Sequence, residues 1–162
     1  MGDESYDVHA FYFHFSRMTT KDYAQTATTP GTTRSLRDAM ISCVVPAYNE
    51  HENLALLLPR LQAVLTQTGA SWEVVVVDDG SRDATSILMS AWTRHPGFRY
   101  VQLSRNFGKE PAITAGLEAA LGDAVIILDA DLQHPPDLLP TMIARWECGV
   151  DMRSEERRVG KE

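Results

Sequence analysis

Asp129 and Asp131 stand two residues apart, directly after the apolar run Val125, Ile126, Ile127 and Leu128, and Gln133 follows two residues later. Two carboxylates and an amide oxygen are hard donors of the kind that suit Mg²⁺ or Mn²⁺, ions that keep several waters and share themselves with substrate phosphates. The apolar run has no polar alternation, the mark of a strand covered on both faces of a parallel sheet. Such a strand delivers the residues after it to the carboxyl edge of the sheet, where open α/β folds bind ligands. A pair of aspartates alone fits equally well as a cap for the next helix. What the other strand ends bring to the same edge decides between the two.

Two further apolar runs end in polar clusters. Residues 41–45 lead into Pro46, Ala47, Tyr48, Asn49 and Glu50, and residues 73–77 into Asp78, Asp79, Gly80 and Ser81. In a parallel sheet these ends share one edge with Asp129 and Asp131. Tyr48 offers a ring face, Glu50 an acceptor, and Asp79 an acceptor for a base N–H or a sugar hydroxyl. Taken singly, Asn49, Asp79 and Ser81 are ordinary turn residues and Asp83 a helix cap; as a set on one edge they read as a binding site. Arg105, Asn106, Lys109 and Glu110 follow a third strand at residues 99–103. Gly108 lets that backbone approach a ligand, and a helix N-terminus favours an anion. Arg105 and Lys109 are therefore expected to contact phosphate, against the plainer reading of a charged surface turn.

The elements that must position these residues alternate strand and helix four times. A helix is expected over residues 52–68, with Leu54, Leu57, Leu58, Leu61 and Leu65 inward and Gly69 as its stop. A second starts from Asp83 as N-cap and runs to about residue 94, with Ile87, Leu88 and Ala91 inward, until His95-Pro96-Gly97 breaks it. A third covers residues 108–121, with Ile113 and Leu117 inward and Gly122 as cap, and a fourth residues 136–148. Pro46 and Pro135 are expected to end the first and fourth strands. The fold class is α/β: a parallel sheet with helices on both faces.

The chain's 162 residues, 44% hydrophobic, allow one domain with a core. A net charge of −7 and no basic stripe exclude nucleic acid as a partner. Cys43 and Cys148 lie far apart, Cys43 within an apolar strand, so neither a disulfide framework nor a cysteine metal site is expected, and a cytoplasmic setting fits. No apolar run reaches the ~18–20 residues of a membrane span. Neither G-x-G-x-x-G nor G-x-x-x-x-G-K-[ST] occurs, which disfavours dinucleotide oxidoreductases and P-loop nucleotidases. Residues 1–39, with the aromatic cluster FYFHF and a Thr-rich stretch, read as a disordered leader, Met18 or Met40 being candidate starts. Residues 153–162, RSEERRVGKE, match the translation of a common sequencing adapter and read as a non-native tail on a chain whose gene continues beyond Met152.

Four stretches in order, VVPAYNEHENL, VVVDDGSRDAT, LSRNFGKEPAITAGL and VIILDADLQHPPDLL, resemble the motifs of the GT-A glycosyltransferases of family 2. Within that family the likeness is greatest to the polyprenyl-phosphate glycosyltransferases, the bactoprenol glucosyltransferase and dolichol-phosphate mannosyltransferase group. It covers residues 41–152 and implies that residues 40–152 are the nucleotide-sugar-binding half of a Rossmann-like GT-A domain. By that resemblance Pro46, Ala47, Tyr48 and Glu50 line the nucleotide pocket and Asp79 reads the base. Asp129 holds the ribose side of the donor and helps the metal, while Asp131 and Gln133 ligate Mg²⁺ or Mn²⁺; His134 is given no ligand role. Asp129, Asp131, Arg105 and Lys109 form the expected catalytic set.

The implied reaction is metal-dependent, inverting transfer of a sugar from a nucleotide sugar, a UDP-sugar in preference to GDP-mannose, to a polyprenyl phosphate. A phosphate acceptor, with a second pKa of about 6, is already an ionised nucleophile, and the chain shows no base to spare. The resemblance also implies a protein at the cytoplasmic face of the inner membrane, held there through a C-terminal part beyond this chain. Two alternatives stay open: a family 2 transferase acting on a sugar hydroxyl in polysaccharide or cell-wall synthesis, and a donor-binding fragment without activity.

Overall fold

The structure, a computed structural model, describes residues 13–14, 39–133 and 135–148. Four strands, β2 (Met40–Ala47), β3 (Ser71–Asp78), β4 (Phe98–Gln102) and β5 (Ala124–Ile127), run parallel, and β1 (Phe13–His14) pairs antiparallel with β5. The helices are α1 (His51–Gln67), α2 (Thr85–Trp92), α3 (Lys109–Ala119) and α4 (Leu139–Glu147), the last preceded by a 3₁₀ turn at Pro136–Leu138. Sheet order is β1-β5-β2-β3-β4. The chain therefore moves outward from β2 to β4 and then returns through α3 to the other side of β2.

Strand alternation sorts the core into two layers. Cys43, Val45, Val74, Val76 and Ile126 face α1, α2 and α4, where Leu57, Leu61, Met89 and Ile143 meet them. Val44, Val75, Val77, Val125 and Ile127 face α3 and pack with Ala112 and Ile113. Val44 stands beside Val75 on one side and Ile127 on the other, which locks the register of the three central strands. All five leucines expected inward on α1 are buried. Cys43 is fully buried, and burial pushes its thiol up to about 12.

Several local expectations are corrected. Pro46 does not end its strand, which continues to Ala47. β5 pairs only as far as Val44 opposite Ile127, so the missing Pro46 N–H leaves no ladder bond unmade on that side. α2 starts at Thr85 rather than at an Asp83 cap, and its buried residues are Thr85 and Met89; Leu88 packs on the core as expected, while Ile87 and Ala91 are exposed. Asp83 still serves as an acceptor for two helix starts: its carboxylate takes the Thr85 amide at 3.0 Å and the His51 amide of α1 at 3.1 Å. Burial pushes that carboxyl up, but these hydrogen bonds outweigh it and hold the group below its ordinary range. Gly122 lies beyond the Ala120 cap of α3, and its amide donates to Ser42 Oγ at 2.8 Å.

That last contact belongs to a polar knot at the amino edge of the sheet. Glu73 is 2% exposed, and its carboxylate accepts from Ser42 Oγ at 2.5 Å, the Leu121 amide at 2.6 Å and Arg99 at 2.8 Å. Arg99 also donates to the Ala119 carbonyl at 2.6 Å, so the knot fastens the end of α3 to three strands.

Of the stretch read as a leader, the structure describes only β1 and Ala39 with the strand that follows; residues 1–12 and 15–38, like His134 and residues 149–162, lie outside the described residues. Among the described residues no helix is long and apolar enough to cross a membrane.

Candidate functional site

A cleft of about 350 Å³ opens at the carboxyl ends of the parallel strands. Pro46, Ala47, Tyr48 and Glu50 enter it from β2, Asp79 from β3, and Asp129, Ala130 and Asp131 from β5. Asn106, Gly108, Lys109 and Ala112 close it from the β4–α3 side. β2 lies between β3 and β5, so the connections leave it in opposite directions, the switch point at which α/β sheets bind ligands.

The turn residues hold the strand ends together. The Asp79 amide donates to the Ala47 carbonyl at 2.8 Å, and the Asn49 amide to Ser81 Oγ at 2.9 Å. Asn49 Oδ1 accepts the Arg82 amide at 2.8 Å from a backbone with φ 53°, a conformation asparagine tolerates. Asn49 and Ser81 are thus turn residues that align the β2 and β3 ends. Asp78, which sequence reasoning gave no role, is fully buried and takes the Ser81 amide at 2.7 Å and the Tyr100 hydroxyl at 2.5 Å. Burial and then this carboxylate push the Tyr100 phenol far above its ordinary range.

Asp79 is 3% exposed, and its two oxygens accept the Phe107 amide at 2.7 Å and the Gly108 amide at 2.8 Å. The anion expected at the start of α3 is therefore supplied by the chain itself. Arg105 does not line the cleft; its guanidinium lies 4.1 Å above the Phe107 ring, a cation–π contact on the surface. Lys109 does line it, and its ammonium binds both oxygens of Asp129, at 2.8 and 2.9 Å. Asp131 is exposed at the rim and accepts the Gln133 amide at 3.1 Å, while Gln133 itself is outside the cleft. Between them Leu132 has φ 62°, rare for a branched side chain, and it packs on the core. This strained turn sets the backbone between Asp131 and Gln133, four residues and more beyond the end of β5.

Sequence reasoning missed the Lys109–Asp129 pair and the exposed Phe107 ring. Their one signal was a cation and an aromatic at the end of a strand in the same sheet.

Four carboxylates, Glu50, Asp79, Asp129 and Asp131, and one ammonium line the cleft. Such a surface attracts cations and repels a bare diphosphate. Among the described residues no three His, Cys, Asp or Glu side chains gather as a closed metal site. An ion that completes its shell with water and phosphate needs only one or two protein carboxylates, so Asp129 and Asp131 fit Mg²⁺ or Mn²⁺. That Asp129 already holds an ammonium with both oxygens shows a carboxylate directed at a cation.

The family model described as glycosyl transferase family 2 matches residues 42–152. An uncharacterized glycosyltransferase of Synechocystis sp. is 44% identical over 119 residues, 73% of this chain and 37% of that protein. An undecaprenyl-phosphate 4-deoxy-4-formamido-L-arabinose transferase of Pseudomonas aeruginosa is 44% identical over 115 residues, 70% of this chain and 34% of that protein. The chain thus spans about a third of the length of these curated relatives. Among solved structures, a mannosyltransferase from Pyrobaculum calidifontis in complex with GDP-Man and Mn²⁺ superposes with a TM-score of 0.56 at 26% identity, over 74% of this chain and 36% of that one. Glucosyl-3-phosphoglycerate synthase from Mycobacterium tuberculosis, with Mn²⁺, UDP and glucosyl-3-phosphoglycerate, gives 0.56 at 28%, over 71% of this chain and 43% of that one. A parallel sheet of this order, three acidic strand ends meeting in one cleft and a family match over most of the described residues place the chain in glycosyl transferase family 2, with the GT-A fold.

Proposed function

We propose that this chain is the donor-binding half of a metal-dependent, inverting glycosyltransferase that carries a sugar from a nucleotide sugar to a polyprenyl phosphate at the cytoplasmic face of the membrane. The observation that carries the donor site is the convergence of Tyr48, Glu50, Asp79, Asp129 and Asp131 on one cleft at the switch point. Tyr48, 42% exposed at the lip, presents a ring for a base to stack on. Pro46 and Ala47 shape the wall beneath it, and Glu50 accepts from the nucleoside. Asp79 keeps lone pairs beyond its two amide bonds and can accept from the base.

Asp129 on the ribose side and Asp131, assisted by Gln133, would hold Mg²⁺ or Mn²⁺. Bound there, the ion would neutralise the charge that develops on the leaving diphosphate. Lys109, and Arg105 once it leaves Phe107, supply the positive charge that phosphates need in a cleft of carboxylates. The lipid acceptor rests on the name of the Pseudomonas relative, and the nucleotide and metal on the ligands of the two solved structures. An ionised phosphate acceptor needs no general base, and direct displacement inverts the anomeric carbon. A UDP-sugar is the proposed donor in preference to GDP-mannose.

Two measurements test this reading. Calorimetry of this chain with UDP, UDP-glucose and GDP-mannose, each with and without Mn²⁺, is expected to show metal-dependent binding that favours the uridine ligands. A transfer assay on a protein carrying this chain at the full length of its relatives is expected to label polyprenyl phosphate. Transfer to free sugars alone would reject the lipid acceptor.

A further inference from the structure

We propose that Lys109 is an internal counter-ion that couples the binding of metal to the binding of diphosphate: it occupies Asp129 in the empty cleft and passes to the phosphates when both ligands arrive. The inference rests on the donor-site reading above and adds an order to its assembly.

The ammonium of Lys109 binds both oxygens of Asp129, at 2.8 and 2.9 Å, so a metal that approaches this carboxylate meets a positive charge already in contact with each oxygen. The Asp129 side chain is 23% exposed and that of Lys109 58%, which leaves the lysine free to move while the aspartate stays in place. The base of the lysine is fixed, because Lys109 opens α3 directly after Gly108, whose amide is held by buried Asp79. A four-carbon stem on an anchored residue can swing between acceptors without moving the helix.

The charges then set a sequence. A metal that binds alone must displace the only ammonium lining the cleft among the described residues, and the displaced group gains no phosphate in return. A diphosphate that binds alone meets four carboxylates and one cation that is already engaged. When both bind, the metal replaces the ammonium at Asp129 and the ammonium gains a phosphate partner. Each ligand removes an obstacle to the other, which is positive coupling and is reciprocal by linkage. An ion pair this exposed hinders a competitor on the order of fivefold.

Mn²⁺ titrations of the 162-residue chain, with and without UDP, followed by calorimetry and by the paramagnetic resonance of free Mn²⁺, test the coupling. Wild-type protein should bind Mn²⁺ weakly alone and more tightly with UDP. Lys109→Gln should tighten Mn²⁺ alone by about twofold to fivefold and reduce the coupling by a similar factor, and Lys109→Arg should preserve it. Arg60→Gln makes the same change in net charge at an exposed pair with Asp137 and should alter neither quantity. Unchanged or weaker Mn²⁺ binding by Lys109→Gln, with wild-type protein that still binds Mn²⁺ and UDP, overturns the coupling and leaves the donor site standing. Wild-type protein that binds neither ligand overturns both.

Discussion

The carboxylate of Asp79 receives the Gly108 amide at 2.8 Å and the Phe107 amide at 2.7 Å, and so ties the end of β3 to the start of α3 from a position 3% exposed. An asparagine there would turn an NH₂ toward one of those amides and leave a buried donor without an acceptor. Asp79→Asn should cost about 1–3 kcal/mol of folding stability and weaken UDP binding, since the loop that carries Lys109 loses its anchor. Urea denaturation and calorimetry on one preparation measure both. Unchanged stability would show that the two amide bonds do not hold the loop.

Gly80 lies against the same loop from the other side. Its φ is +71°, and a Cβ added there would stand 2.5 Å from the backbone carbon of Arg105 and 2.7 Å from the Asn106 nitrogen. Backbone cannot give way as a side-chain tip does. Gly80→Ala combines a disfavoured conformation with that clash and should destabilise the protein by about 2–3 kcal/mol. Amide chemical shifts of residues 105–109 should move, and donor affinity should fall with them. Wild-type shifts in a folded variant would contradict the contact.

At the opposite edge of the sheet, Glu73 sets a pH dependence. Burial pushes its carboxyl up, but hydrogen bonds from Ser42, Arg99 and the Leu121 amide, with the Arg99 charge, hold it below its ordinary range. A carboxyl lowered in the folded state binds fewer protons there than in the unfolded chain. Its contribution is fully present above the unfolded pKa of about 4.3 and is lost as pH falls through the folded value. Glu73→Gln should be less stable at pH 7 by about 2–3 kcal/mol, with a shallower loss of stability below about pH 5. Urea titrations from pH 7 to pH 3 give both; parallel curves for the two proteins would contradict the assignment.

Much of the fold was legible because its signals are local. The apolar runs of β2, β3 and β5, the leucine spacing of α1 and the acidic residues after each of those strands follow from side-chain period alone. What escaped depends on contacts between distant residues. The Lys109–Asp129 pair spans 20 positions and the Glu73–Leu121 bond 48, and no pattern along the chain connects them. The inward face of α2 was read only in part: Leu88 packs on the core, but Thr85 and Met89, one turn apart, set the phase and leave Ile87 73% exposed. Gly116 reads as an ordinary weak point in a helix, yet a Cβ there would overlap the Val44 side chain, so its absence lets α3 lie close on the sheet. Pro46 was read as a strand breaker because the end of the β5 ladder beside it could not be known. Arg105 stacks on Phe107, a preference that spacing does not reveal.

Above all, the cleft is proposed to take a nucleotide sugar through a metal held at the β5 end. Calorimetry of UDP with Mn²⁺ against wild type and Asp131→Ala tests this most directly. Asp131 is exposed and its carboxylate accepts the Gln133 amide two residues away, a local bond, so its removal should leave the fold intact. Mn²⁺-dependent UDP binding is expected in the wild type, with a loss of at least about tenfold, roughly 1.4 kcal/mol, in Asp131→Ala and thermal stability unchanged. Equal binding by both proteins, or binding indifferent to Mn²⁺, would contradict a metal-held donor.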